Sequence, residues 1–144
     1  MTVPRPSLHH LALTVTDLDA SVEWYSRVFE VKPAFDVPHP GGVGRLLLDD
    51  EQTLAIVLHH HDTNDGERFA ETGTGLDHFG LMVPTREDLQ RWQDHLAEHG
   101  VERSSEADRP LTQSPITDEF YGSVMTVRDP DNIAFELFSP PSAG

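Results

Sequence analysis

An α+β fold, made of one strand–helix–strands module used twice, is predicted by three features of this 144-residue chain. The run LHHLALTV (8–15) aligns without a gap with LDHFGLMV (76–83), pairing His10 with His78. The run DEQTLAIVL (50–58) aligns the same way with DPDNIAFEL (129–137), pairing Asp50 with Asp129, Leu54 with Ile133 and Val57 with Glu136. A helix-like segment follows the first run of each half. Internal repetition constrains architecture more strongly than any single motif. Module one covers about 8–61, a linker 62–75 and module two about 76–138, within one domain over 1–144. A chain of this size buries one good core, or two small modules sharing one.

Period-two alternation sorts the strands into faces. Leu11, Leu13 and Val15 lie on one side of the first run, with His10, Ala12 and Thr14 on the other. In the second, Phe79, Leu81 and Val83 oppose His78, Gly80 and Met82; in NIAFELF (132–138), Ile133, Phe135 and Leu137 oppose Ala134, Glu136 and Phe138. The first helix is predicted from an N-cap at Asp17 to about Glu30, with Leu18, Val22, Tyr25 and Phe29 at helical spacing. The second has Thr85 as N-cap, Glu87 and Asp88 in its first turn, Leu89, Trp92 and Leu96 on one face and Gly100 just past its end. Further strands are predicted around 45–48, 54–59, 123–128 and 133–138. The second half is eleven residues longer between its matched positions, and the excess falls in the polar stretch 103–120. The linker DTNDGERFAETGTG is read as holding one helical turn.

Composition excludes several classes. There is no cysteine, so there is neither a disulfide framework nor a thiolate metal site. No apolar run approaches the roughly 20 residues of a membrane span, and MTVPRPS has no signal-peptide core, which predicts a soluble, cytoplasmic protein. A formal net charge of −15 repels nucleic acid and anionic membranes. The expected partner is a small molecule. No serine or cysteine nucleophile motif and no glycine-rich phosphate loop is present, and HLAEH (95–99) has Leu96 where a zinc-protease helix needs glutamate.

His10, His78 and Glu136 all avoid the oily faces. Two imidazoles and one carboxylate are a metal-binding set, and an unpaired carboxylate on a half-enclosed strand face carries a desolvation cost of several kcal/mol that a bound dication removes. Three such ligands on an octahedral ion leave open positions, an arrangement that suits catalysis.

These runs resemble the vicinal oxygen chelate superfamily, the glyoxalase/bleomycin-resistance/dioxygenase proteins. The resemblance covers about residues 8–138 and is carried by HLALTVTDLDASVEWYSRVF (10–29), GLDHFGLMV (75–83) and VRDPDNIAFELF (127–138). In the last, Asn132 replaces the usual glycine of the turn before the metal-binding glutamate, and asparagine tolerates a left-handed backbone. The resemblance implies paired βαβββ modules forming an open, cup-shaped mixed sheet with helices on the outer face. It also implies a homodimer and one divalent metal ion on His10, His78 and Glu136.

Within the family, glyoxalase I and methylmalonyl-CoA epimerase resemble four-ligand branches that draw on the position of Val57, and valine binds no metal. The fosfomycin-modifying branch carries a threonine where this chain has Ala12, and an arginine beyond the glutamate that FSPPSAG lacks. Extradiol dioxygenases match the ligand count on Fe(II), with Mn, Ni or Zn as alternative ions. They carry a tyrosine ten residues before the glutamate, where this chain has Thr126; Tyr121 lies nearby in another register. They also need an acid/base histidine, and His59 of the HHH run takes that place, the other reading of the run being a solvated strand end or adventitious metal binding. His59 and Tyr121 are thus the catalytic candidates; Thr126, Arg45, Arg128 and Trp24 are the substrate-contact candidates. The arginines have a second reading as partners of the abundant carboxylates; of the aromatics Trp24, Tyr25 and Phe29 that could line a pocket, helix packing accounts for at least Tyr25 and Phe29. The expectation is a metal-dependent dioxygenase, or a glyoxalase-like lyase or isomerase, against a non-catalytic drug-binding module of the bleomycin-resistance kind.

Overall fold

The structure, a computed structural model, describes residues 2–142. It divides into two compact units, with the boundary between Gly66 and Glu67. None of its helices is long and apolar enough to cross a membrane.

Unit one runs β1 (Leu11–Thr14), α1 (Leu18–Phe29), β2 (Lys32–His39), β3 (Gly42–Leu48) and β4 (Ala55–His61). Its sheet has the order β1-β4-β3-β2, with β1 parallel to β4 and the other pairs antiparallel. Helix α1 starts where its cap residue dictates: the Asp17 carboxylate accepts the Ala20 N–H at 3.0 Å. It stops where Glu30 turns left-handed, with φ 55. Trp24, Tyr25 and Val28 of the helix are buried along with Leu13, Leu47, Ile56 and Leu58 of the sheet. The sheet's other face carries Ala12, Thr14, Val57, His59 and His61.

Strand β2 is an element that alternation did not predict. Its sequence KPAFDVPH holds two prolines and seven of its eight residues are exposed, so it has no oily face to read. Edge position makes this possible, because an edge strand needs only one ladder of hydrogen bonds. The turn to β3 is short, with Pro40 followed by Gly41 at φ 80, the sequence preference of a type II turn.

Unit two runs β5 (Phe79–Met82), α2 (Arg86–Glu98), β6 (Glu102–Arg103), β7 (Thr112–Gln113), β8 (Thr117–Glu119), β9 (Gly122–Arg128) and β10 (Ala134–Ser139). The sheet order is β5-β10-β9-β7-β6, with β8 also on β9. Thr85 and Asp88 form a reciprocal capping box at the start of α2. Phe79, Leu89, Leu96, Met125, Val127, Phe135 and Leu137 form the core. Buried Gln113 donates from Nε2 to the carbonyls of Gln93 and Val101, both at 3.0 Å. Where unit one has the one continuous strand β2 beside β3, unit two has three short pieces, and the eleven-residue excess lies among them.

The repeat survives as strand register. Leu11 pairs with Ile56 and Ala12 with Val57, just as Phe79 pairs with Phe135 and Gly80 with Glu136. The turn before the last strand departs from the gap-free alignment. Asp129 accepts the N–H groups of Asp131 and Ile133, both at 2.8 Å, and Asn132 sits at φ 70. In unit one this role falls to Asp49, whose carboxylate accepts the Leu54 N–H at 2.8 Å while Gln52 takes the left-handed place at φ 57. Asp49, not Asp50, is therefore the counterpart of Asp129, and the first turn is one residue longer. The linker holds no helix, only isolated turns closed by Asn64 N–H to His61 O at 2.9 Å and Gly73 N–H to Ala70 O at 3.3 Å.

Candidate metal centre

His10 and His78 stand one residue ahead of the paired parts of β1 and β5, not within them. Both are exposed. Because β5 lies beside β10 in the register just described, the imidazole of His78 reaches Glu136, with Nε2 3.4 Å from Oε2. The other nitrogen, Nδ1, donates to Oδ1 of Asp77 at 2.7 Å. A carboxylate can only accept, so Asp77 keeps the proton on Nδ1 and leaves the Nε2 lone pair toward Glu136 when the ring is neutral. This is how ligating histidines are oriented by an outer carboxylate. Asp77 was not singled out from the sequence, although its place beside His78 was the available signal.

The same contacts raise the His78 pKa above its ordinary value. The hydrogen bond to Asp77 contributes most, burial opposes it, and the charge of Glu136 adds to it. Around the pair is an open pocket of about 200 Å³ lined by Glu71, Asp77, His78, Thr126, Arg128, Ala134 and Glu136. Thr126 stands directly across from Glu136 on β9. The donors suit a divalent ion: one imidazole nitrogen and one carboxylate oxygen converge on the same space, and Asp77 leaves Nε2 as the free nitrogen of the neutral ring.

Arg128 lines this pocket without offering a free charge. It is buried, and its guanidinium donates to both carboxylate oxygens of Glu71 at 2.8 and 2.9 Å, to Ala107 O at 2.8 Å and to Asn132 O at 3.2 Å. Glu71 comes from the linker, and Arg128 holds its carboxyl down at about 2. Tyr121 lies outside the pocket lining, stacked on Phe138 at 6.5 Å and 52% exposed.

In unit one, Arg45 pairs with Leu58 and so faces the side of the sheet opposite His59. Its guanidinium donates to Asp36 at 2.7 and 3.2 Å and to Asp19 of α1 at 3.4 Å. Trp24 is buried, edge-on to Tyr25 at 4.8 Å, as helix-packing core. Both arginines are thus ion-paired with carboxylates. His10 lies in this unit, its Nδ1 2.9 Å from that of His9.

His59 is half-buried and belongs to a cluster that sequence reasoning missed. Its Nδ1 is 3.2 Å from Nε2 of His39, and ligand atoms of His39, His59 and His61 all lie within 4.8 Å of one another. Burial lowers the His59 pKa most, followed by the charges of His39, His61 and His10. His39 escaped notice because β2 itself did.

The family model described as Glyoxalase/Bleomycin resistance protein/Dioxygenase superfamily matches residues 7–137. A trivalent organoarsenical cleaving enzyme from Bacillus sp. (strain MD1) is 26% identical over 129 residues, 90% of this chain and 70% of that protein. The crystal structure of a glyoxylase/bleomycin resistance protein/dioxygenase domain from Frankia sp. EAN1pec superposes with a TM-score of 0.82 at 28% identity, covering 98% of this chain and 96% of that one. The fosfomycin resistance protein FosX from Listeria monocytogenes, solved with Mn(II) and sulfate, gives a TM-score of 0.62 at 17% identity, covering 96% of each chain. At that identity the likeness concerns the fold.

Proposed function

The chain belongs to the Glyoxalase/Bleomycin resistance protein/Dioxygenase superfamily, and we propose from that membership that it is a mononuclear, divalent-metal-dependent enzyme acting on a small metabolite that chelates through two neighbouring oxygens. The observation that carries this reading is the His78–Glu136 pair, with Asp77 holding the imidazole in its ligating tautomer. His10, His78 and Glu136 are the proposed ligands. The ion, Fe(II) first among the candidates, would stabilise negative charge developing on the substrate oxygens.

The protein's own part is positioning. Asp77 fixes the His78 ring, Glu136 supplies the anionic donor, and Thr126 lines the same pocket, where its hydroxyl serves as a donor to a substrate oxygen. Val57 supplies no fourth ligand, which keeps coordination positions open. Ring cleavage of a catechol is the reaction we favour, on the match of two histidines and one glutamate. An organoarsenical substrate fits this chain less well, because trivalent arsenic prefers thiolates, as soft centres do, and the chain has no cysteine. A homodimer is part of the same proposal and is tested by solution mass.

The deciding experiment loads chelator-treated protein with Fe(II) under argon and follows oxygen uptake with a panel of catechols. Uptake that disappears in Glu136→Ala supports ring cleavage. Tight metal binding without uptake on any catechol points to a lyase or isomerase. Absence of metal binding by both the native chain and His78→Ala would leave a binding module.

A further inference from the structure

The histidines at the end of unit one's sheet are arranged as a site of their own. His59 and His61 project from the face of β4 that also carries Val57, two and four residues further along. His39, the last residue of β2, is brought to them by the short Pro40–Gly41 turn, which sets it opposite Gly42, and Gly42 in turn pairs with His61.

Two glycines of β3 make the room. A Cβ on Gly44 would lie 2.6 Å from Cε1 of His59, and one on Gly42 would lie 2.7 Å from Cε1 of His39 and 2.2 Å from the His60 carbonyl oxygen. The alternating small residues of GGVG thus let imidazoles lie across the strand where any other side chain would displace them.

Protonation is arranged as well. Nδ1 of His39 lies 3.2 Å from the Pro40 carbonyl, which can only accept, so the proton belongs on Nδ1 and the Nε2 lone pair faces His59. Without an ion, His59 Nδ1–H donates to His39 Nε2 across 3.2 Å; a bound ion would take the place of that hydrogen bond, with the His59 proton moved to its Nε2 so that both facing nitrogens can ligate. A carbonyl-anchored imidazole presenting its other nitrogen is the usual support of a metal ligand. Ligands bound at about 2.0–2.1 Å to a tetrahedral ion sit roughly 3.4 Å apart. The observed 3.2 Å, and the 4.8 Å limit for the whole set, ask for little movement of the rings.

We propose that His39, His59 and His61 form a second metal site, for a borderline divalent ion such as Zn(II), with its remaining position open to solvent. An all-imidazole set selects Zn, Cu or Ni over hard ions such as Mn(II) or Mg(II). Its all-imidazole donor set differs from the set proposed around Glu136, whose carboxylate suits harder ions. Among the described residues unit two has no counterpart, since Phe138 occupies the place of His59 and β2 has no continuous equivalent there.

The test is equilibrium dialysis of the chelator-treated full chain against stoichiometric Zn(II), comparing the native sequence with His39→Ala, His61→Ala and Glu136→Ala. His39 ends an edge strand, so its truncation leaves the core alone, and His61→Ala provides an independent variant. The expected result is loss of one bound equivalent in each histidine variant, with that equivalent retained in Glu136→Ala. The same loss supports the site even if Glu136→Ala changes nothing, an outcome that removes the centre at Glu136 instead. Unchanged stoichiometry in both histidine variants overturns the proposal. A single equivalent abolished by all three variants also overturns it, because one shared ion then explains the binding.

Discussion

Nε2 of His78 lies 3.4 Å from Oε2 of Glu136, while Nδ1 of the same ring donates to Asp77 at 2.7 Å. One imidazole is thereby shared between an orienting carboxylate and a second carboxylate that faces the same pocket. The chemistry of the site follows from which of these contacts a bound ion would replace.

Asp77→Asn removes the orienting charge while keeping the size of the side chain. Metal affinity at neutral pH is expected to fall about 10- to 100-fold, the usual effect of losing such an outer partner. Calorimetric titration with Mn(II) measures it. Undiminished affinity would deny Asp77 its role.

The raised His78 pKa sets a pH window for the metal-free protein. The pKa is above its unfolded value, so its stabilising contribution is fully present below the ordinary imidazole range and is lost as pH rises through the folded pKa. Metal binding runs the other way, because the ion needs the neutral ring, and should tighten over the same rise. An NMR titration of the ring in native and Asp77→Asn proteins should show the variant titrating at lower pH. Coincident curves would contradict this.

Val57 holds in unit one the register place that Glu136 holds in unit two, each one partner beyond the strand residue that follows the candidate histidine. Val57→Glu should add a carboxylate beside His10 and tighten Mn(II) binding by roughly 10-fold, as an added oxygen donor does for a hard ion. It should also slow any reaction that needs the open position. Binding and turnover measured on the same preparation check both halves of the prediction.

Glu71 and Arg128 join the linker to β9. Glu71 is depressed from 4.5 to about 2, so its contribution is complete above its unfolded pKa and disappears as pH falls from about 4.5 toward 2. The carboxylate side chain is 36% exposed, which reduces what the pair is worth. Glu71→Gln should cost about 1 kcal/mol near neutrality. Urea midpoints of the two proteins should converge at the acid end of that window, and a constant gap at every pH would argue against the ion pair.

Asn132 stands at φ 70 in the turn that delivers Glu136. Asn132→Ala places an ordinary Cβ in a left-handed backbone, with an expected cost of about 1 kcal/mol. Asn132→Gly relieves that strain but gives up the amide contact to Phe69 O at 3.3 Å, and should be close to neutral. Equal destabilisation by both would show that the side chain, not the backbone, matters.

By itself the sequence determined whatever depends on local chemistry or on a repeated pattern. Asp17 and Thr85 announce their helices because a cap is a contact over three residues, and the two strand registers coincide because the same alternation was written twice. Glu136 was legible as a ligand candidate for that reason. Position in space was decided only by the tertiary structure. Arg45 and Arg128 are alike in sequence, and only folding shows their charges already taken by Asp36 and Glu71. Strand β2 has no buried face to leave a pattern, so His39, some twenty residues from His59, could be connected with it only by the sheet. The glycines at 42 and 44 were the available clue, and their meaning depends on which rings lie across them. Contacts between distant segments come from register and turn geometry acting together, and a linear pattern carries the first far better than the second.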